Sequence, residues 1–184
     1  SNKKWFVERK LRNLPNNLKR LLVDNSSLTK RIIKNKPYVK HISSEVNLTN
    51  GFSNFSKRYS FVRKVEINGN LDKPITAISY TPVGYLKGRM IYIKYLKEKS
   101  LASLLFKNPK FKKSNINYVV LEDCVLRVTI YKKNRIMVRV EEKFPKSNNY
   151  SDLSYKKRLN TSKYPYGCIT NINVSKAAAK NTNN

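Results

Sequence analysis

The sequence predicts an α+β fold, antiparallel hairpins combined with helices, with basic extensions at both ends. Two strand pairs carry this expectation. Tyr59 to Ile67 alternates, with Tyr59, Phe61, Val65 and Ile67 on one face and Ser60, Lys64 and Glu66 on the other. The turn signal Asn68-Gly69-Asn70 follows, and Pro74 to Thr81 reads as the returning strand. A second hairpin runs from Val125–Tyr131 through Lys132-Lys133-Asn134 into Arg135–Phe144. The helices are predicted from apolar spacing and from capping residues.

Taken in order, residues 1–13 form a basic arm, expected to be helical around Trp5, Phe6 and Leu11. Pro15-Asn16-Asn17 opens a helix with Leu18, Leu21 and Leu22 on one face. Asn25-Ser26-Ser27 stops it and caps a second helix carrying Leu28, Ile32 and Ile33. Lys36-Pro37 ends that helix, Tyr38 to Val46 reads as a first strand, and Asn50 to Asn54 as a turn. After the first hairpin, Pro82 and Gly84 break the chain, and a helix is expected from about Lys87 to Phe106. Lys107 to Lys113 reads as a basic loop and Asn117 to Leu121 as a strand. Beyond Lys146 apolar periodicity ends. The expected division is therefore a 1–13 arm, a 14–146 domain and a 147–184 extension rich in Asn, Ser and Lys.

Charge is the compositional outlier. The chain has 184 residues, with 39 Lys plus Arg against 11 Asp plus Glu, a net of +28. An AT-rich coding sequence raises Lys, Asn, Ile and Tyr together but leaves the scarcity of acids unexplained. Such a surplus favours a large anionic partner. The 40% hydrophobic content supports a real core. Two separated cysteines and one histidine, His41, do not make a structural zinc site, and His41 reads as an ordinary strand or loop residue. The sequence shows no apolar run of about 20 residues and no secretory leader. Its AT bias and basic balance point to an organelle, the plastid stroma or the mitochondrial matrix.

Two residues break the alternation. Arg63 falls on the face of Phe61, Val65 and Ile67, and Glu142 on the face of Ile136, Val138, Val140 and Phe144. A guanidinium aimed into a core needs an anion or several acceptors. One polar pocket, a plain ion pair between Arg63 and Glu142, and wet edge positions are all compatible with the pattern.

The motifs carrying these residues resemble the chorismate lyase family, including its plastid-encoded relatives. Leu21-Leu22-Val23-Asp24-Asn25-Ser26-Ser27-Leu28-Thr29-Lys30-Arg31 resembles its early helix motif. Val62-Arg63-Lys64-Val65-Glu66-Ile67 and Ala77-Ile78-Ser79-Tyr80-Thr81-Pro82 resemble two of its strands. Ser100-Leu101-Ala102-Ser103-Leu104-Leu105-Phe106 lies where the family has P-L-G-x-x-L-F. Val125 to Pro145 resembles its closing hairpin, ending in Glu142-Lys143-Phe144. The resemblance covers roughly residues 14–146, in order. It implies a single antiparallel sheet covered on one face by helical flaps, in which Arg63 grips a ligand carboxylate, Glu142 meets a ring hydroxyl, and Leu28 and Leu101 contact the ligand from the flaps. The implied reaction converts chorismate to 4-hydroxybenzoate and pyruvate, with no cofactor. A dianionic substrate suits a bidentate arginine, and a carboxyl group in an apolar pocket can hydrogen-bond or protonate an oxygen. Ser100 and Ala102 replace the family's Pro and Gly, and Leu28 replaces the bacterial methionine.

The charge, the arm and the tail are not family features. The sequence therefore favours a non-catalytic subunit of a large organellar assembly, a ribosome with rRNA as counter-charge or a basic linker in a plastid light-harvesting assembly. An active chorismate lyase is the alternative. A ligand sensor is a third reading, without a DNA-reading module in the sequence. Lys3, Lys4, Arg9, Lys10 and Arg12, then Lys107, Lys110, Lys112 and Lys113, then Lys156, Lys157 and Arg158 are the expected contacts to rRNA or to an acidic protein surface. A small aromatic carboxylate is the expected pocket ligand.

Overall fold

Strand alternation builds the molecule. The computed structural model describes residues 11–24, 28, 38–50, 57–106 and 111–151. Its six strands are β1 (Val39–Thr49), β2 (Arg58–Ile67), β3 (Ile75–Pro82), β4 (Lys112–Val120), β5 (Cys124–Lys133) and β6 (Ile136–Pro145). They form one sheet of order β1-β2-β3-β6-β5-β4, every neighbour antiparallel. The two expected hairpins, β2–β3 and β5–β6, meet along β3 and β6 at the centre of the sheet. No helix among the described residues is long and apolar enough to cross a membrane.

One face of the sheet is covered. Its inward residues are Phe61, Arg63, Val65 and Ile67 on β2 and Ile75, Ala77, Ser79 and Thr81 on β3, all buried. They continue as Val125, Arg127, Thr129 and Tyr131 on β5 and Val138, Val140, Glu142 and Phe144 on β6. Two apolar clusters cover this face. At one end, Leu18, Leu21 and Leu22 of the helix Asn16–Val23 pack with Val65, Ile67, Val125 and Phe144. At the other, Met90, Ile93, Leu96 and Leu105 pack with Phe61, Tyr131, Val138 and Val140. The polar residues Arg63, Ser79, Arg127 and Glu142 lie between the two.

Several sequence expectations need correction. The helix expected over Lys87–Phe106 is broken into a 3₁₀ helix, Gly88–Tyr95, and a four-residue α-helix, Ala102–Leu105. The spacing of Met90, Ile93 and Leu96 fits three residues per turn, and Gly88 (φ 53°) and Lys97 (φ 43°) interrupt helical winding. Lys112 and Lys113 are not in a loop: they begin β4, where the register shifts between Lys113 and Asn115. The fold also exceeds the expected 14–146 limits. Leu11 is buried in the first cluster, and so is Tyr150. Asn148 clamps the β2–β3 connection, accepting from the Lys73 N–H at 2.8 Å and donating to the Lys73 carbonyl at 2.8 Å. The Tyr150 hydroxyl donates to the Pro145 carbonyl at 2.7 Å. The second helix around Ile32 and Ile33, the turn at 51–54 and the tail from 152 lie outside the described residues.

Asn148→Ala removes the two bonds to Lys73 and a longer one to the Tyr150 hydroxyl, at 3.4 Å, from a buried amide. The expected loss is about 2 kcal/mol in urea unfolding, whereas an unchanged midpoint would place Asn148 outside the cooperative unit.

Candidate functional site

The register explains how the polar residues gather. One transverse row of the sheet runs Val65–Ala77–Glu142–Arg127–Tyr118, each residue opposite the next. The adjacent row runs Arg63–Ser79–Val140–Thr129. Ala77 and Ser79 are the small residues at the centre of both rows, and the space they leave becomes the floor of a cavity. Arg63, Arg127, Glu142, Tyr131 and Ser79 line it from the sheet. Leu28, Ser100, Leu101, Ala102, Leu105 and Phe106 close it from above. The space amounts to about 70 Å³. All four residues assigned by resemblance, Arg63, Glu142, Leu28 and Leu101, border this one cavity.

Glu142 is not paired with Arg63. The two sit on β2 and β6 with β3 between them, roughly 10 Å apart across the sheet at normal strand spacing. Arg127, directly opposite Glu142 on β5, takes the carboxylate instead, with Nε 2.6 Å from Oε2. Arg127 and Glu142 are only 4% and 7% exposed. The Arg127 Nη1 also donates to the Leu21 and Leu22 carbonyls at 3.2 and 2.9 Å. These acceptors belong to the last turn of the helix Asn16–Val23, where the Leu21 carbonyl also accepts the Asp24 N–H at 3.4 Å and the Leu22 carbonyl the Tyr118 hydroxyl at 2.9 Å. The guanidinium also lies over the Phe144 ring, 5.1 Å from its centroid. Burial alone would lower the Arg127 pKa, but the Glu142 carboxylate outweighs it and holds the pKa above the ordinary arginine value.

Arg63 has a different environment. It is 3% exposed, and burial pushes its pKa down to about 10. Its Nη2 donates to the carbonyls of Lys97 and Lys99, at 2.5 and 2.9 Å. Its Nε is buried with no hydrogen-bond partner among the described residues. The two carbonyl bonds fasten the covering segment to the sheet and steady the left-handed turn at Lys97. Just beyond, the Ser100 Oγ accepts the Ala102 N–H at 3.2 Å, where the segment turns over the cavity. Phe106 meets Tyr131 edge to face, with centroids 5.8 Å apart.

Lys113 is also turned inward, its Nζ 5.8 Å from the Tyr131 ring centroid. Burial and then repulsion from Arg127 push its pKa down to about 8, against attraction from Glu142 and Asp24. Burial, reinforced by Glu142 and opposed by Arg127, drives the Tyr131 phenol above its usual range. The cavity thus has two guanidiniums and one carboxylate on its wall and a third cation nearby, a field suited to an anion.

The sequence reasoning missed Arg127, Tyr131 and Ser79. Arg127 shares strand parity with Val125 and Tyr131, the same signal that exposed Arg63. Of the expected polyanion contacts, Arg12 and Lys112 are exposed, while Lys113 is partly buried beside the cavity. Lys3, Lys4, Arg9, Lys10, Lys107, Lys110, Lys156, Lys157 and Arg158 lie outside the described residues. His41 is exposed on β1, its Nε2 2.7 Å from the Ser44 Oγ. The chain matches no model of a known protein family, and no curated protein matches it significantly.

Arg127→Met strands a buried carboxylate and should lower the unfolding free energy by about 3–5 kcal/mol. Arg127→Met/Glu142→Leu removes both charges and should recover most of that loss in denaturant titrations. Equal losses in the two variants would mean that the pair is not coupled.

Proposed function

We propose that the covered cavity binds a small aromatic carboxylate, and that the protein is a chorismate lyase releasing 4-hydroxybenzoate and pyruvate. The observation that carries this reading is Arg63: a buried guanidinium with no acidic partner and an Nε with no acceptor among the described residues, and a covered cavity against it. A ligand carboxylate would supply the missing acceptor and the missing negative charge. Leaving that donor unmet costs roughly 1–3 kcal/mol, which a bound anion recovers.

The chemistry asks little more of the protein. Elimination breaks the ether bond at C3 of chorismate, removes the proton at C4 and leaves an aromatic ring. The departing enolpyruvate takes up a proton and becomes pyruvate, so no electrons are exchanged and no cofactor is consumed. Arg63 would fix the ring carboxylate. Glu142, oriented by Arg127, would face the ring hydroxyl and the proton at C4, where a positioned carboxylate serves as hydrogen-bond acceptor or base. Leu28, Leu101 and Phe106 would exclude water from the ring. The resemblance of the motifs supports the choice of substrate.

The net charge of +28 supports a second reading, a non-catalytic subunit of an organellar ribosome or a light-harvesting linker in the plastid. Its contacts would be rRNA or an acidic protein surface, and the cavity would serve only structure or ligand sensing. Turnover separates the two readings. Purified protein given chorismate should form 4-hydroxybenzoate and pyruvate in equal amounts. Arg63→Ala and Glu142→Gln should each lower kcat/KM by at least about a hundredfold, the scale of a lost positioning or acid–base group. Folded protein without turnover would favour the second reading.

A further inference from the structure

The segment that covers the cavity has an outer surface with its own pattern. In a 3₁₀ helix side chains three apart share one stripe. Along Gly88–Tyr95 and its continuation, Met90, Ile93 and Leu96 form the buried stripe, packed on Phe61 and Val138. A second stripe carries Arg89, Tyr92 and Tyr95, with the two rings 60% and 67% exposed. The third carries Ile91 and Lys94, and Lys97 follows in the turn beyond the helix; all three are exposed. Between Val83 and Ser100 there are five basic residues, Lys87, Arg89, Lys94, Lys97 and Lys99, and one acid, Glu98.

We infer that this face binds single-stranded nucleic acid, with Tyr92 and Tyr95 stacking on bases and Lys87, Lys94 and Lys97 meeting phosphates. Exposed aromatic rings interleaved with cations are the combination that tracks an unpaired strand, because every base offers a ring face and every nucleotide a phosphate. The spacing fits. Three residues at about 2.0 Å rise separate the rings by roughly 6 Å, close to two base steps of about 3.4 Å. An anionic lipid surface fits less well, since Ile91 is the one aliphatic side chain on the two outward stripes and bilayer insertion needs a broad apolar face. The net charge of +28 supplies long-range attraction, whereas the rings confer the preference for unpaired strands. Lysines carry no base code, so sequence preference is weak. The inference is independent of what the cavity binds: a chain without lyase activity would still bind through this face.

The test is fluorescence anisotropy of the full chain with labelled oligouridylate, at a salt concentration high enough to suppress purely ionic binding. Tyr92→Ala and Tyr95→Ala leave the charge unchanged and alter only exposed rings. Each is expected to weaken binding about five- to a hundredfold, whereas Tyr92→Phe and Tyr95→Phe keep it. Lys94→Glu/Lys97→Glu should weaken binding and flatten its dependence on salt. A duplex RNA of equal length should bind less tightly and be indifferent to the tyrosines. Three results would overturn the inference: alanine variants that bind oligouridylate like the parent, duplex bound as tightly as single strand, or tyrosine-dependent retention on phosphatidylserine vesicles without tyrosine-dependent oligouridylate binding.

Discussion

A guanidinium and a carboxylate 2.6 Å apart, both almost wholly removed from water, hold the centre of this molecule together. Removing the two ions from water costs several kcal/mol each, and Coulomb attraction alone does not guarantee repayment. Arg127 and Glu142 add the compensation such a pair needs. Arg127 donates to the Leu21 and Leu22 carbonyls at the end of the helix Asn16–Val23 and rests on the Phe144 ring. Its positive charge sits at a helix C-terminus, where the helix dipole favours it. One side chain thus docks the helix on the sheet and orients the acid that borders the cavity.

Because Arg127 takes Glu142, Arg63 has no acidic partner among the described residues. It is kept in place by backbone carbonyls, which offer partial charges rather than a full counter-ion. Those carbonyls belong to the covering segment, so the residue that would grip a ligand also holds the cover over it. The floor is open because Ala77 and Ser79 are small, and an apolar cluster packs at each end of the polar stripe. Pocket, cover and helix docking follow from the inward-facing Arg63, Arg127 and Glu142 on a sheet whose other inward residues are mostly apolar.

The hairpins were legible because alternation and turn residues agree in β2–β3 and β5–β6. Arg63 and Glu142 were legible as charges breaking an apolar face. Arg127 breaks the same rule, but its inward neighbour Thr129 blurs the contrast along β5. The cover was misread because Leu96, Leu101, Leu104 and Leu105 read as one helical stripe, whereas Ala102–Leu105 is only a short α-helix and Met90, Ile93 and Leu96 follow a separate 3₁₀ winding. Lys112 and Lys113 look like a basic loop until the register shift before Asn115 re-phases β4. Asn148 and Tyr150 carry no periodic signal at all. They belong to the fold through hydrogen bonds and one buried ring, which apolar patterning does not register. The cavity itself depends on cross-strand register, which no single strand encodes.

If Arg63 is a cation awaiting an anion, a carboxylate and its neutral isostere must behave differently. Thermal unfolding with 4-hydroxybenzoate and with 4-hydroxybenzamide measures that difference, since a ligand bound only by the folded state at about a hundred times its Kd stabilises by about 2.7 kcal/mol. The account predicts a raised Tm with the acid, none with the amide, and no response to either in Arg63→Met. Equal shifts with acid and amide, or an acid shift that survives in Arg63→Met, would contradict it.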